Sequence, residues 1–222
     1  MLKKNYYLIF SWLISAITYA EPVPKYLHSK LWEQIADSKA LKFNELTSDG
    51  EFAGCELTFR YPLRDYRQFG GEPILVTGSI TNNYFRGKSF SLFLKIQPNK
   101  IEFNSISKGF ELKTLTPASG SLVINNINLK KYELKRFKCS DEGLCLFYAD
   151  SVDGVELLAT TFNKFPFDAS VLFSMSKTGI DHKFDVSDLS PADSERVQFT
   201  KCMGKSMDGL LEFLKSNQDI KK

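Results

Sequence analysis

The stretch Ser121–Asp150, SLVINNINLKKYELKRFKCSDEGLCLFYAD, constrains the fold of this 222-residue chain more than any other part of the sequence. It predicts a strand, a tight turn at Asn125-Asn126, a return strand, a small loop between Cys139 and Cys145, and a third strand. Strands that follow one another through short turns are typical of antiparallel sheets. We therefore expect the chain to be organised around an antiparallel sheet.

The same alternation of strands and turns covers most of the remaining chain. Helical periodicity is confined to residues 29–43, to a segment that includes Val155 and Phe162, and to residues 191–216. The sequence predicts a mainly β fold with flanking helices, an antiparallel β-sandwich or open barrel bridged by disulfides. The further strands are expected at Phe52–Phe59, Ile74–Thr81, Phe90–Ile96, Phe167–Met175 and Ile180–Phe184, with Pro98-Asn99 ending the third of these.

The first twenty residues have the pattern of a secretory signal peptide. Lys3 and Lys4 precede the apolar segment YYLIFSWLISAI, and Thr18-Tyr19-Ala20 places small residues at positions −3 and −1 of a cleavage site before Glu21. The apolar segment is shorter than the roughly 20 residues that a membrane-spanning helix needs. We predict a signal peptide at residues 1–20 and a single exported β-rich domain at residues 21–222, periplasmic or secreted.

Charge and composition exclude two classes of function. Outside the signal peptide the chain has 27 basic and 26 acidic residues, so its net charge is +1. Nucleic acid binding requires a strongly basic surface, so no nucleic acid partner is predicted. No second stretch is long and apolar enough for an integral membrane span. With 43% hydrophobic and 14% aromatic residues, the chain can bury a substantial core.

The four cysteines, Cys55, Cys139, Cys145 and Cys202, all lie in the predicted exported domain, where an even number indicates disulfides. Three pairings are possible. The short polar loop between Cys139 and Cys145 is easy to close, which leaves Cys55 to pair with Cys202. A zinc site is not expected, because CSDEGLC lacks the C-x-x-C spacing and the two histidines are far apart. No metal or cofactor is predicted.

The sequence contains no catalytic motif that we can identify. His28 precedes the first helix, and Asp181 and His182 are neighbours on a predicted strand, where adjacent side chains point to opposite faces. The chain has no G-x-S-x-G, Walker, Rossmann or calcium-loop pattern. His182 is expected to be an exposed strand residue, and the protein is predicted not to be an enzyme.

A segment rich in arginine and tyrosine is the candidate binding site. Residues 60–73, RYPLRDYRQFGGEP, are predicted to form a loop because they contain two prolines and a Gly-Gly pair. Arginine suits carboxylates and phosphates, and aromatic rings offer stacking faces, so the expected ligand is an anionic or sugar-bearing envelope component or a partner protein's acidic patch. The alternative is a solvated hairpin loop. The predicted ligand-binding residues are Arg60, Tyr61, Arg64, Tyr66 and Arg67.

The order of features in the central stretch resembles the invasion-associated locus B family of exported bacterial envelope proteins. That family has a short turn, a strand and a cysteine pair around a glycine-bearing loop, followed by a helix and a two-stranded unit. The resemblance implies an exported β-sandwich in a bacterial envelope and carries over no catalytic residue. The helix with Cys202 has no counterpart in that pattern. The matching residues are Ile124-Asn125-Asn126, Phe137, Cys139, Gly143 and Cys145.

These observations favour an exported, non-enzymatic binding protein of the bacterial envelope, with an envelope component or a protein as its partner. One alternative is an inhibitor of an envelope hydrolase such as lysozyme, because the run Ser119-Gly120-Ser121 resembles the serine-glycine loops of periplasmic lysozyme inhibitors. The other is a carbohydrate-active hydrolase, which would require a pair of carboxylates in a cleft.

Overall fold

Strands make up most of the chain that the structure describes. The computed structural model describes residues 25–66, 71–85, 89–104, 109–124, 131–149, 168–175, 182–189 and 193–219. The strands in these ranges are β1 (Ala40–Ser48), β2 (Glu51–Asp65), β3 (Glu72–Phe85), β4 (Ser89–Asn104), β5 (Gly109–Thr114), β6 (Ser119–Ile124), β7 (Lys131–Cys139), β8 (Cys145–Ala149), β9 (Ala169–Ser174) and β10 (His182–Asp185). The helices are α1 (Lys25–Ala36) and α2 (Asp193–Asp219), with a 3₁₀ helix at Val186–Leu189.

The described strands form an antiparallel sheet that does not close into a full barrel. Neighbours follow the order β1-β2-β3-β4-β8-β7-β6-β9-β10, and β5 pairs with β4 beyond the end of β8. β7 changes partner along its length, since Lys131–Leu134 pairs with β6 and Lys135–Cys139 lies along β8. The predicted fold class, a mainly β sandwich or open barrel with flanking helices, is confirmed.

The two ends of the sheet are brought together by aromatic packing. The ring of Phe184 in β10 lies 5.2 Å from that of Phe59 and 4.6 Å from that of Tyr61, both in β2. Helix α2 covers β1 and β2, where the ring of Phe199 meets that of Phe43 at 6.2 Å. The result is a continuous core, whose largest fully buried side chains include Leu57, Ile74, Leu92, Leu94, Ile96, Leu122, Phe147, Phe173 and Met203.

Both expected disulfides are present. Cys55 of β2 is bonded to Cys202 of α2 across 147 residues of sequence, and Cys139 is bonded to Cys145 at the β7–β8 turn. The long bridge is fully inside the core, where Cys55 is 0% and Cys202 is 1% exposed. It ties α2 to the sheet that α2 covers. Because disulfides persist in oxidising compartments, the two bridges indicate an exported protein.

The N-terminal helix differs from its prediction. A helix was expected over residues 29–43, but α1 ends at Ala36 and β1 begins at Ala40. Leu41 and Phe43 are part-buried with an exposed lysine between them, which is the period of a strand. The apolar residues of this region match a helical stripe as far as Ala36, and Phe43 extends that stripe by coincidence. The C-terminal helix, expected over residues 191–216, is observed as α2.

Two prolines that were expected to end strands lie inside them. β2 continues through Pro62 to Asp65, and β4 continues through Pro98 to Asn104, so most of the predicted 60–73 loop is strand. Proline is tolerated in a strand where no neighbouring strand requires its missing N–H. The pairing of β1 with β2 stops two residues before Pro62. Pro98 lies between the last residue of β4 that pairs with β8 and the first that pairs with β5.

Several predictions fall outside the described ranges. These are the signal peptide at residues 1–20, the Asn125-Asn126 turn, and the helix that includes Val155 and Phe162. Neither α1 nor α2 is long and apolar enough to cross a membrane.

Candidate ligand-binding groove

The residues predicted to bind a ligand lie where β2 extends past β1. Arg60, Tyr61 and Arg64 belong to β2 and Tyr66 follows it directly, so the segment is not the loop that was predicted. Because successive side chains of a strand point to opposite faces, Tyr61 lies on the face opposite to Arg60 and Arg64. Arg67 lies outside the described residues.

A groove with a volume of about 350 Å³ follows this end of β2. It is formed by α1 and the turn after it, by β2, and by β10. Tyr61, Arg64 and Tyr66 line it, as the sequence predicted for a common site, whereas Arg60 is exposed outside it. The lining residues are Trp32, Lys39, Tyr61, Pro62, Leu63, Arg64, Tyr66 and Lys183.

Helix α1 supplies an aromatic wall that orients Arg64. The guanidinium carbon of Arg64 lies 4.8 Å from the centre of the Trp32 ring, and its Nη1 lies 3.5 Å from the hydroxyl oxygen of Tyr66. A cation–π contact of this kind contributes about 0.5–1 kcal/mol at an exposed site. A guanidinium that stacks on a ring keeps its N–H groups for an acceptor, so Arg64 is held ready for a carboxylate or phosphate.

Tyr61 forms the floor of the groove. Its ring stacks on Phe184 at an interplanar angle of 17°, and the ammonium of Lys39 lies 5.0 Å from the ring centre. The hydroxyl donates to Oδ2 of Asp188 at 3.3 Å. Burial, together with the charges of Asp188 and Asp185 and this hydrogen bond, raises the pKa of Tyr61 from 10.0 to about 12. Tyr61 is therefore a neutral, fixed aromatic surface at physiological pH.

Cationic side chains dominate the lining of the groove, and the carboxylates of Asp188 and Asp185 lie next to Tyr61 at its floor. Three cations line it, and none of its lining residues is acidic. Lys183 forms an ion pair with Asp185 at 3.3 Å, but in the described part of the chain no carboxylate lies within ion-pair distance of Lys39, Arg60 or Arg64. The site can therefore accept an anion through charge-assisted hydrogen bonds and can stack a planar or apolar group on Trp32 and Tyr66.

A buried histidine lies against the end of β2, at a position where the sequence predicted an exposed strand residue. Nε2 of His182 lies 3.7 Å from Oδ2 of Asp65, and the two residues are 6% and 1% exposed. The imidazole packs on the ring of Phe173 at 5.2 Å. The expectation that His182 is exposed is therefore wrong. Both groups are almost fully buried, and neither is among the residues that line the groove.

The run Ser119-Gly120-Ser121 does not form a projecting loop. It begins β6, where Gly120 pairs with Leu134 on one side and Phe173 on the other. Gly120 and Ser121 are buried, so this run cannot insert into the cleft of another protein.

Within the described ranges, no group of three or more histidine, cysteine or acidic side chains is arranged to hold a metal ion.

Two other depressions flank the β7–β8 turn. One is polar and is lined by Gln97, Thr114, Thr116, Asp141, Glu142 and Gly143. The other is mainly apolar and is lined by Lys95, Phe137, Lys138, Cys139, Ser140, Asp141, Leu144 and Leu146. The apolar one has two cations and one aromatic side chain, Phe137, whereas the groove at β2 has three of each.

Comparison with family models, curated protein sequences and solved structures gives no match to this chain. The resemblance to the invasion-associated locus B family stays a prediction.

Proposed function

We propose that this chain is an exported, non-enzymatic binding protein of the bacterial envelope, and that its groove at the end of β2 binds an anionic ligand. The observation that carries the proposal is the lining of the groove: Lys39, Arg64 and Lys183 interleaved with Trp32, Tyr61 and Tyr66. Among the described residues Lys39 and Arg64 have no carboxylate partner, and the aromatic faces next to them are held in place by packing, which favours binding over a purely structural role.

The location is part of the same proposal. The two disulfides indicate an oxidising compartment, and the resemblance to an exported family suggests the periplasm or the cell exterior of a bacterium. The alternatives, a lysozyme inhibitor and a carbohydrate-active hydrolase, stay predictions. The serine-glycine run that suggested the first lies in β6, and no lining residue of the groove is a carboxylate that could serve the second.

Tryptophan fluorescence provides a direct test. The chain contains two tryptophans, and Trp12 lies in the predicted signal peptide, so in the exported protein that begins at Glu21 the emission of Trp32 reports on the groove alone. The probes are an oligogalacturonate, as an acidic oligosaccharide, and the acidic peptide acetyl-(Glu-Val)₃-amide, with neutral galactose oligomers as the control ligand. We expect at least one acidic probe to change the emission of Trp32 saturably and the neutral sugar to leave it unchanged.

The double substitution Lys39→Ala/Arg64→Ala tests the cations. Each charge-assisted hydrogen bond contributes about 1.5–3 kcal/mol, so binding should weaken by about 100-fold or more. The matched control is Lys201→Ala/Lys215→Ala, which makes the same change in charge at exposed positions of α2. Added salt should weaken binding to the unsubstituted groove. If both double variants bind the acidic probes equally well, the proposal is wrong.

A further inference from the structure

The groove follows a length of sheet edge. The last residue of β2 that pairs with β1 is Arg60, opposite Ala40. β2 then continues for five residues, and all of them pair with β3 on the other side, as far as Asp65 opposite Glu72. In the described ranges no strand lies along these five residues on the β1 side. Pro62, which lines the groove, belongs to this length of edge.

The register of β1 shows which backbone groups face the groove. The N–H of Phe43 donates to Oε2 of Glu195 at 2.6 Å, so this N–H points away from β2. Phe43 and the residue opposite it in β2, Leu57, therefore form a pair that exchanges no backbone hydrogen bonds. Hydrogen-bonded and non-bonded pairs alternate in an antiparallel ladder. The even-numbered residues of β2 therefore direct their backbone groups to the β1 side. Beyond the end of β1 these groups are the C=O of Pro62 and both the N–H and C=O of Arg64.

We propose that the groove binds an extended acidic segment of a partner protein, which adds to the sheet as a short strand in line with β1. This inference rests on the proposed function and specifies the ligand. Two acceptors and one donor along one strand edge match the backbone of an extended peptide, and strand addition of this kind obtains its affinity from main-chain bonds and its selectivity from alternate side chains. An acidic oligosaccharide offers no such alternating series.

Charge and length define the segment further. Lys39 and Arg64 line the groove, and Arg60 lies in β2 just before this edge begins. No described carboxylate lies within ion-pair distance of any of them, so acidic side chains are favoured. Five residues of β2 extend for roughly 17 Å, which accommodates about five residues of a partner strand. Pro62 has no backbone N–H, so this edge offers one hydrogen-bond donor fewer. Prolines are common on strand edges that are protected against nonspecific pairing. Binding should therefore depend on the acidic side chains of the segment as well as on main-chain hydrogen bonds.

Two N-methylated peptides test the main-chain bonds. The parent probe is acetyl-(Glu-Val)₃-amide, titrated against the exported protein that begins at Glu21 and followed by Trp32 fluorescence. One isomer carries N-methyl groups on its glutamates and the other on its valines. Because alternate N–H groups of a strand point to opposite sides, one isomer should bind at least about tenfold more weakly, and the other should bind like the parent. The isomer that binds weakly cannot regain these hydrogen bonds by shifting one residue along the edge, because the shift would turn its glutamates to the opposite face of the sheet.

Substitutions at position 64 give an independent measurement. Arg64→Ala and Arg64→Pro both lack the guanidinium and differ in the edge N–H, so Arg64→Pro should bind the parent peptide about fivefold more weakly than Arg64→Ala. Position 64 lies opposite Pro73 in β3. If Arg64→Pro unfolds, the N-methylated peptides decide alone.

The outcomes separate this inference from the proposed function. Equal binding of both N-methylated isomers, or binding of the oligogalacturonate with none of any peptide, overturns the strand inference and leaves an anion-binding groove. Self-association of the chain that Arg64→Pro abolishes, without peptide binding, assigns the edge to a second copy and also overturns it. If no acidic probe binds, the proposed function fails as well.

Discussion

Removal of the Cys55–Cys202 bridge should destabilise the fold by much more than removal of the Cys139–Cys145 bridge. In the chain-entropy treatment, a bridge between residues 147 apart removes about 5 kcal/mol of conformational freedom from the unfolded state, and one between residues six apart removes about 2 kcal/mol. The expected difference in the free energy of unfolding is therefore about 3 kcal/mol. The long bridge also anchors α2 to the sheet, so without this bridge α2 should detach from the sheet before the rest of the fold unfolds.

The measurement compares urea unfolding of Cys55→Ala/Cys202→Ala with that of Cys139→Ala/Cys145→Ala, followed by circular dichroism. Chemical reduction of the unsubstituted chain serves as the control, because it breaks the bridges without removing atoms from the core. The slope of the free energy against urea should increase most for the first variant, since its unfolded state is the least restrained. An equal loss of stability in both variants would refute the loop-entropy reasoning.

Two further predictions concern the groove floor and the sheet. Tyr61 should titrate near pH 12 by ultraviolet absorbance, and Asp188→Asn should lower that pKa. An unfolded tyrosine loses its proton near pH 10, whereas Tyr61 in the folded state keeps its proton up to about pH 12. The free energy of unfolding should therefore fall as the pH rises between these two values. Gly78→Ala should lower the free energy of unfolding by about 1–3 kcal/mol, because the new Cβ would overlap the carbonyl oxygen of Lys95. Gly204→Ala should raise it by about 0.5–1 kcal/mol, because a Cβ at that helical position meets nothing within 4 Å. Urea unfolding measures both, and the opposite order would contradict the packing.

The class of fold was predictable because it depends on local patterns. Alternation along Cys55, Leu57 and Phe59 identified β2. The short spacing of Cys139 and Cys145 indicated one bridge, and elimination left Cys55 and Cys202 for the other. Strand length was not predictable, because it depends on neighbours that are distant in sequence. Pro62 signals a break in isolation, yet it is compatible with β2 where β1 no longer pairs with that strand.

The groove was predictable only in part. Tyr61, Arg64 and Tyr66 were predicted to share a site because cations and aromatic residues cluster in their segment of the sequence. Trp32 lies in α1, Lys39 lies between α1 and β1, and Lys183 lies in β10, so these lining residues come together only in the folded chain. No local signal joins such distant positions. The burial of His182 against Asp65 was missed for the same reason, since 117 positions separate the two residues.

The basic residues elsewhere on the surface show why charge alone does not identify a site. Lys95 is paired with Glu56 at 3.1 Å, and both Nη2 and Nε of Arg136 lie within hydrogen-bonding distance of the sulfur of Cys139. Those cations are committed to the fold, so displacing them would cost an existing contact. Arg64 instead rests on an aromatic ring beside an edge whose backbone groups it shares with the groove. In the proposed strand addition, a ligand would form a charge-assisted bond and main-chain bonds at the same residue, Arg64.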